Sequence, residues 1–241
     1  MKAMILAAGR GERMRPLTDT CPKPLLKVRG RPLIVWHILN LVRAGITEIV
    51  INHAHLGHMV EEELGDGSKY GATIAYSPEA KALETAGGIA NALHLLGDEP
   101  FLVLSGDIYC PYFDFTQVLD VLPDNDAIGI PHPLDKRDAC WLYLTPNPFH
   151  NTKGDFALNL FSVTNTGRPL WNFSNIGVYR PEMFKAITPG DSGKLGLLIR
   201  DYADKGLVGG ELYEGPWVNV GTVAQLDELN APLSAKAATA P

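Results

Sequence analysis

Ala3-Met4-Ile5-Leu6-Ala7-Ala8-Gly9-Arg10-Gly11-Glu12-Arg13-Met14-Arg15-Pro16-Leu17-Thr18 is the stretch on which the reading of this chain turns. Residues 3–8 form an uncharged apolar run of strand length, as expected for a parallel strand covered on both faces. Two glycines and three arginines follow at once. Gly9 and Gly11 let the backbone approach an anion closely, and successive amides can cradle its oxygens. Arg10, Arg13 and Arg15 add donors that suit phosphate geometry, so a triphosphate is the natural tenant. The segment is not a P-loop, because no Gly-Lys-Ser/Thr follows. It is not the dinucleotide fingerprint either, because the third glycine is missing and Pro16 interrupts the expected helix. A Gly-x-Gly turn alone also fits a solvated basic turn, so the surrounding sequence has to decide.

Outward from this loop, charge-poor runs of strand length recur at 48–52, 73–76, 101–104 and 127–130. Helical patterns at 33–43, 59–64 and 86–96 lie between them. The alternation predicts an α/β, Rossmann-like fold with a mostly parallel, doubly wound sheet. Ligands of such sheets sit outside the carboxyl ends of the strands, so the loops after Ala8, Asn52 and Leu104 should converge on one crevice. A proline- and turn-rich stretch, 131–149, precedes strand-like runs at 141–145, 156–163 and 172–179, read as a small antiparallel elaboration. Residues 1–231 are expected to form a single domain, and 232–241, mostly Ala, Ser, Thr and Pro, a flexible tail.

Composition narrows the function classes. The chain has 241 residues, 46% of them hydrophobic and 20% charged, which is ordinary for a globular protein with a sizeable core. A net charge of -6 repels polyanions, and no basic patch stands out, so neither nucleic acid nor an acidic membrane is an expected partner. Cys21, Cys110 and Cys140 are scattered, as suits reduced thiols rather than a disulfide framework or zinc site. His53, His55 and His58 fit no helical metal pair. No run approaches the ~18 apolar residues of a membrane span, and no leader-like segment is read at the start, so the cytoplasm is the expected compartment.

Pro22-Lys23-Pro24-Leu25-Leu26 sets one lysine between two prolines that fix its backbone. Its ammonium is a compact charge suited to a phosphate under attack. Taken together, Leu6-Ala7-Ala8-Gly9-x-Gly11-x-Arg13-Met14-x-Pro16-Leu17-Thr18, Pro22-Lys23-Pro24-Leu25 and Gly30-x-Pro32-Leu33-Ile34 closely resemble the signature of the sugar-1-phosphate nucleotidylyltransferases. The resemblance extends through Thr85-Ala86-Gly87-Gly88, Gly106-Asp107, Asn175-Ile176-Gly177-Val178-Tyr179 and Trp217-Val218-Asn219-Val220-Gly221-Thr222, nearly the whole chain.

That resemblance implies a fold of the nucleotide-diphospho-sugar transferase type, with the antiparallel elaboration on the sugar side. It implies an enzyme that joins a nucleoside triphosphate to a sugar 1-phosphate with Mg2+ and releases pyrophosphate. Nucleotide binding passes to Ala8, Gly9, Gly11, Glu12, Arg13, Lys23, Glu84, Gly87, Gly88 and Ser105, and catalysis to Arg15, Lys23 and Asp107. Gly154, Asp155 and Asn175 fall to the sugar phosphate. Asp107 follows an apolar strand, where an α/β enzyme places a carboxylate for a hard cation. The family pairs it with an aspartate in Trp-x-Asp-x-Gly-Thr, and here Asn219 stands instead. An amide oxygen adds a ligand without charge, so Asn219 is expected to be a weaker metal ligand.

The short length and stretches such as Val50-Ile51-Asn52-His53, Leu83-Glu84-Thr85 and Lys153-Gly154-Asp155-Phe156 are similar to the bacterial uridylyltransferases that use N-acetylmuramate 1-phosphate in cell-wall recycling. UTP is then the favoured nucleotide. Mannose-1-phosphate guanylyltransferase and glucose-1-phosphate thymidylyltransferase are the alternatives within the family, and a non-catalytic nucleotide-binding regulator is the alternative outside enzymes. A monomer and a homodimer both remain open.

Overall fold

The computed structural model describes residues 1–121 and 139–232. The strand expected at 127–130, the proline-rich stretch up to 138 and all of the expected tail beyond 232 lie outside the described residues.

Among the described residues nine strands form one sheet: β1 (Ala3–Leu6), β2 (Glu48–His53), β3 (Thr73–Pro78), β4 (Phe101–Ser105), β5 (Cys140–Thr145), β6 (Phe156–Asn159), β7 (Ser162–Thr164), β8 (Leu170–Tyr179) and β9 (Val208–Leu212). Their order is β3-β2-β1-β4-β8-β5-β9-β7-β6. The first four are parallel, and β8 joins antiparallel to β4. β8 and β5 are antiparallel, whereas β5 and β9 are parallel. At the far end β6 also pairs with the start of β8, so the sheet curls back on itself. The expected elaboration is a continuation of the same sheet beyond its parallel part.

Alternating side chains divide the core into two layers. Ile5, Ile49, Ile51, Leu102 and Leu104 face α1 (Leu33–Arg43) and α2 (Gly57–Leu64) through Ile34, Ile38, Val60 and Leu64. Met4, Val50, Phe101 and Val103 face α3 (Glu84–Leu96) and α4 (Leu195–Asp204) through Ile89, Ala90, Leu195 and Ile199. Each such aliphatic or aromatic side chain, fully buried, contributes about 1.5–3 kcal/mol. A third cluster of Met14, Leu26, Val28, Leu33, Val220, Leu226 and Leu229 ties the glycine-arginine loop to α5 (Val223–Asn230). Thr222 caps α5, accepting from Gln225 N at 3.3 Å.

Two expectations change in detail. The run 156–163 is not one strand but a hairpin, because Leu160 turns at φ 53° and leaves Ser162 opposite Asn159. β1 stops at Leu6, and the next amide, Ala7 N–H, bonds Asn52 Oδ1 at 2.9 Å.

Candidate active site

Register brings the strand ends together. Leu6 lies level with Asn52 on one side and Ser105 on the other, so the loops after β1, β2 and β4 open at one edge. There a cavity of about 360 Å3 is lined by Ala8, Gly9, Lys23, Glu84, Ser105 and Asp107, with Asn52 and Glu79. A second hollow of about 340 Å3 shares Gly9, Lys23 and Asp107 with it and adds Gly11, Glu12, Arg13 and Gly221. A third, of about 260 Å3, contains Asp155, Asn172, Asn175 and Arg200 and shares Thr85 with the first.

The two loop glycines differ. A Cβ on Gly9 would meet nothing within 4 Å, so no neighbour in the fold demands a glycine there. The bare backbone leaves that space to whatever enters the cavity. Gly11 is required internally, with φ 68° and Thr18 Cγ2 only 2.9 Å from where its Cβ would lie. Thr18 Oγ1 in turn donates to Gly11 O at 2.9 Å. Gly221 gives room to Arg13, whose Nη2 would stand 3.2 Å from an added Cβ. Arg15 is placed differently from the other loop residues. It lines none of these hollows, and its Nε bonds Asp19 at 3.1 Å on the surface.

Lys23 Nζ meets Asp107 Oδ2 at 2.6 Å, with the lysine only 8% exposed. A charge pair this close, at a cavity wall, is held ready for anionic oxygens that can compete for the ammonium. Asp107 is fixed by backbone: its carbonyl accepts from Val220 N at 2.9 Å, and Ile108–Tyr109 pairs with Val218–Asn219. Behind it, His37 Nε2–H donates to Ile108 O at 2.9 Å, and burial holds this imidazole down at about 4, hence neutral.

Asn52 and Glu79 were missing from the expected site. Asn52 Nδ2 donates to Glu79 Oε1 at 2.7 Å, and Glu79 Oε2 accepts Leu83 N–H at 2.8 Å. With Ala7 N–H on Asn52, this chain of bonds links the glycine-arginine loop to the start of α3. The available signal was position: each is a polar residue at or just beyond the carboxyl end of a buried strand. Gly87 and Gly88 serve this packing. A Cβ on Gly88 would stand 2.7 Å from both Asn52 Nδ2 and Glu79 Oε1, and one on Gly87 2.4 Å from Asp191 O. Neither lines the cavity, whereas Glu84 does, with φ 60°.

On the sugar side, Gly154 has φ 74° and a would-be Cβ 2.5 Å from Leu170 O, so it makes the turn rather than a cavity wall. Asp155 Oδ2 accepts from Phe173 N at 2.9 Å and Asn151 Nδ2 at 3.1 Å, anchoring β8. Asn175, at φ 62°, sits where the register of β8 against β5 shifts between Phe173 and Ile176. A bulge of this kind re-aims a side chain, here one that lines the third hollow.

Residues 2–133 match the model of the nucleotidyl transferase family. Over 236 residues the chain is 52% identical to the N-acetylmuramate alpha-1-phosphate uridylyltransferase of Neisseria meningitidis, covering 96% of this chain and 97% of that one. The chain belongs to the nucleotidyl transferase family. Within it, a mannose-1-phosphate guanyltransferase of Hypocrea jecorina is 42% identical over 123 residues, half of this chain and 34% of that protein. The fold of this nucleotidyl transferase is also that of a candidate glucose-1-phosphate thymidylyltransferase from Bacillus anthracis. That likeness has a TM-score of 0.77 at 21% identity, over 100% of this chain and 96% of the other.

The donor set of this nucleotidyl transferase suits a hard cation. Asn219 Oδ1 is buried and accepts no hydrogen bond among the described residues, beside the Asp107 segment it pairs with. A buried carbonyl oxygen with no donor is costly unless something positive meets it. Among the described residues no group of three or more His, Cys, Asp and Glu gathers for a metal. One carboxylate and one amide would leave most of the shell to water and phosphate oxygens, as magnesium prefers.

Proposed function

We propose that this sugar-1-phosphate nucleotidylyltransferase joins UTP to N-acetylmuramate 1-phosphate, forming UDP-N-acetylmuramate and pyrophosphate, in the cytoplasm as part of cell-wall recycling. The observation that carries the choice of sugar is the reach of the likenesses. The one to the N-acetylmuramate enzyme runs through the sugar-side half, whereas the one to the guanyltransferase covers 50% of the chain. For the compartment, the supporting fact is that no helix of the described residues is long and apolar enough to cross a membrane.

In this reading the first two hollows take the nucleotide and the third the sugar. Gly9 gives the triphosphate access to the loop amides, and Arg13 balances its charge. An oxygen of the sugar phosphate attacks the α-phosphorus in line; that P–O bond forms as the bond to pyrophosphate breaks. No general base is needed, since a phosphate monoester is already largely ionised at neutral pH. Lys23 exchanges Asp107 for the phosphate oxygens on which charge develops. Asp107 and Asn219 would hold Mg2+, which when bound neutralises phosphate charge and aligns the leaving group.

The test is pyrophosphate release with Mg2+, crossing four nucleoside triphosphates against the 1-phosphates of N-acetylmuramate, N-acetylglucosamine, glucose and mannose. UTP with N-acetylmuramate 1-phosphate should stand out. Another productive pair would reassign the substrate. Silence with every pair would favour the nucleotide-binding regulator, the reading to which an uncharged residue at 219 also lends itself.

A further inference from the structure

We propose that Arg200 is the specificity residue that reads the carboxylate of the sugar substrate, an inference that rests on the reading of N-acetylmuramate 1-phosphate above. N-acetylmuramate is N-acetylglucosamine carrying a lactyl ether, so the substrate bears two anionic groups. Its phosphate belongs beside Lys23 and Asp107, where the reaction takes place. The carboxylate then needs a cation elsewhere along the sugar, in the hollow that adjoins the nucleotide cavity at Thr85.

Arg200 supplies one. It projects from α4 into the wall of that hollow and is half-buried. Its Nη1 donates to two uncharged acceptors, Asp155 O at 3.1 Å and Asn165 Oδ1 at 3.2 Å. Its guanidinium lies 4.7 Å from the ring centroid of Phe156, which fixes the plane. Among the described residues none of the ion pairs within 4.0 Å includes it. The acids nearest in sequence are engaged: Asp201 with Lys205 at 2.6 Å, and Asp204 with Asn165 Nδ2 at 2.7 Å. Asp155 shares the wall, but its Oδ2 is committed to Phe173 N and Asn151 Nδ2. A guanidinium held rigidly by neutral groups, with Nε and Nη2 donors to spare, is a fork for a planar carboxylate.

The experiment compares two substrates in the full chain with Mg2+ and UTP: N-acetylmuramate 1-phosphate, and its analogue with the lactyl carboxylate converted to the carboxamide. Wild type should favour the carboxylate by about a hundredfold in kcat/KM, the scale of hydrogen bonds to a charged group. In Arg200→Met the ratio should collapse to near one, with the KM for UTP unmoved. Arg200→Lys, which keeps the charge but loses the fork, should fall between. A wild-type ratio near one, or a ratio that survives in both variants, overturns the assignment. If wild type turns over neither compound but does use another sugar phosphate, the substrate reading itself has failed. A common loss on both substrates in Arg200→Lys, at an unchanged thermal midpoint, overturns the specificity role in favour of a structural one.

Discussion

At the scale of single residues, Lys23 and Asp107 hold each other at 2.6 Å, and the proposed reaction assigns the first to phosphate and the second to the metal. Lys23→Ala should lower kcat about 10²–10³-fold, the usual loss when one preorganised donor to developing charge is removed. Steady-state kinetics with Mg2+ saturating checks it, and unchanged kcat would break the assignment. Asn219 is the complementary case, with a buried Oδ1 that meets no donor. Asn219→Asp adds a charge beside Asp107, so titration calorimetry with Mg2+ should show affinity rising about tenfold and the metal-free protein melting lower, by like-charge repulsion. Affinity unmoved in both Asn219→Asp and Asn219→Ala would remove this residue from the metal's shell. Glu84 adopts φ 60° at the cavity wall, a conformation that costs a non-glycine residue about 1 kcal/mol or more. Glu84→Gly relieves that strain but frees the unfolded chain by about 0.5–1 kcal/mol, so urea melts should show it no less stable than wild type, with a raised KM for the nucleotide; a clear loss of stability would show that the strain is not real.

At the scale of elements, α3 is the helix whose position depends on glycine. Gly88→Ala places a methyl 2.7 Å from both Asn52 Nδ2 and Glu79 Oε1, so the bonds from Ala7 to Leu83 must part or the helix must shift. The cost should be roughly 1–3 kcal/mol in chemical denaturation, with a higher KM for the triphosphate, because the loop amide and the start of α3 lose their common anchor. Equal stability and KM would mean that the link carries nothing. The sequence resemblance had drawn these glycines toward the nucleotide, since spacing alone shows that a small residue is needed but not what approaches it. The parallel half of the sheet was legible for a simple reason: strands buried on both faces are uninterrupted apolar runs. β9 was not, because Gly209 and Gly210 make it look like a turn, although Gly210 lies where a Cβ would stand 2.5 Å from Leu142 O. The hairpin at Leu160 was read through as one strand because a left-handed leucine leaves no compositional mark. Lys23, Asp107 and the glycine loop were singled out in the sequence, and the fold brings them to the wall of one hollow. Asn52 and Glu79 were not, since their role exists only once the register sets β1, β2 and α3 side by side.

At the scale of the whole molecule, His37 is buried on α1 behind the Asp107 segment, where it bonds Ile108 O. Because burial lowers this imidazole to about 4, against 6.5 when exposed, the unfolded chain takes up its proton first as pH falls. The stability contributed by keeping His37 neutral is complete above about pH 6.5, declines as pH falls toward 4, and is lost below that. The whole window is worth roughly 3 kcal/mol, of which about 2 kcal/mol falls between pH 7 and pH 5, a range where most carboxylates are still ionised. Denaturation free energies at pH 7, 6 and 5 should therefore drop for the wild type and drop by about 2 kcal/mol less for His37→Gln, whose amide can still donate toward Ile108 O. Because the folded imidazole stays neutral until about pH 4, its bond to Ile108 O, which steadies the strand that pairs Ile108 with Asn219, persists over this range, so nucleotide and metal affinity should hold while stability falls. If His37→Gln loses stability as steeply as the wild type, the acid response of this molecule originates elsewhere, in its paired carboxylates rather than in the helix packed behind the site.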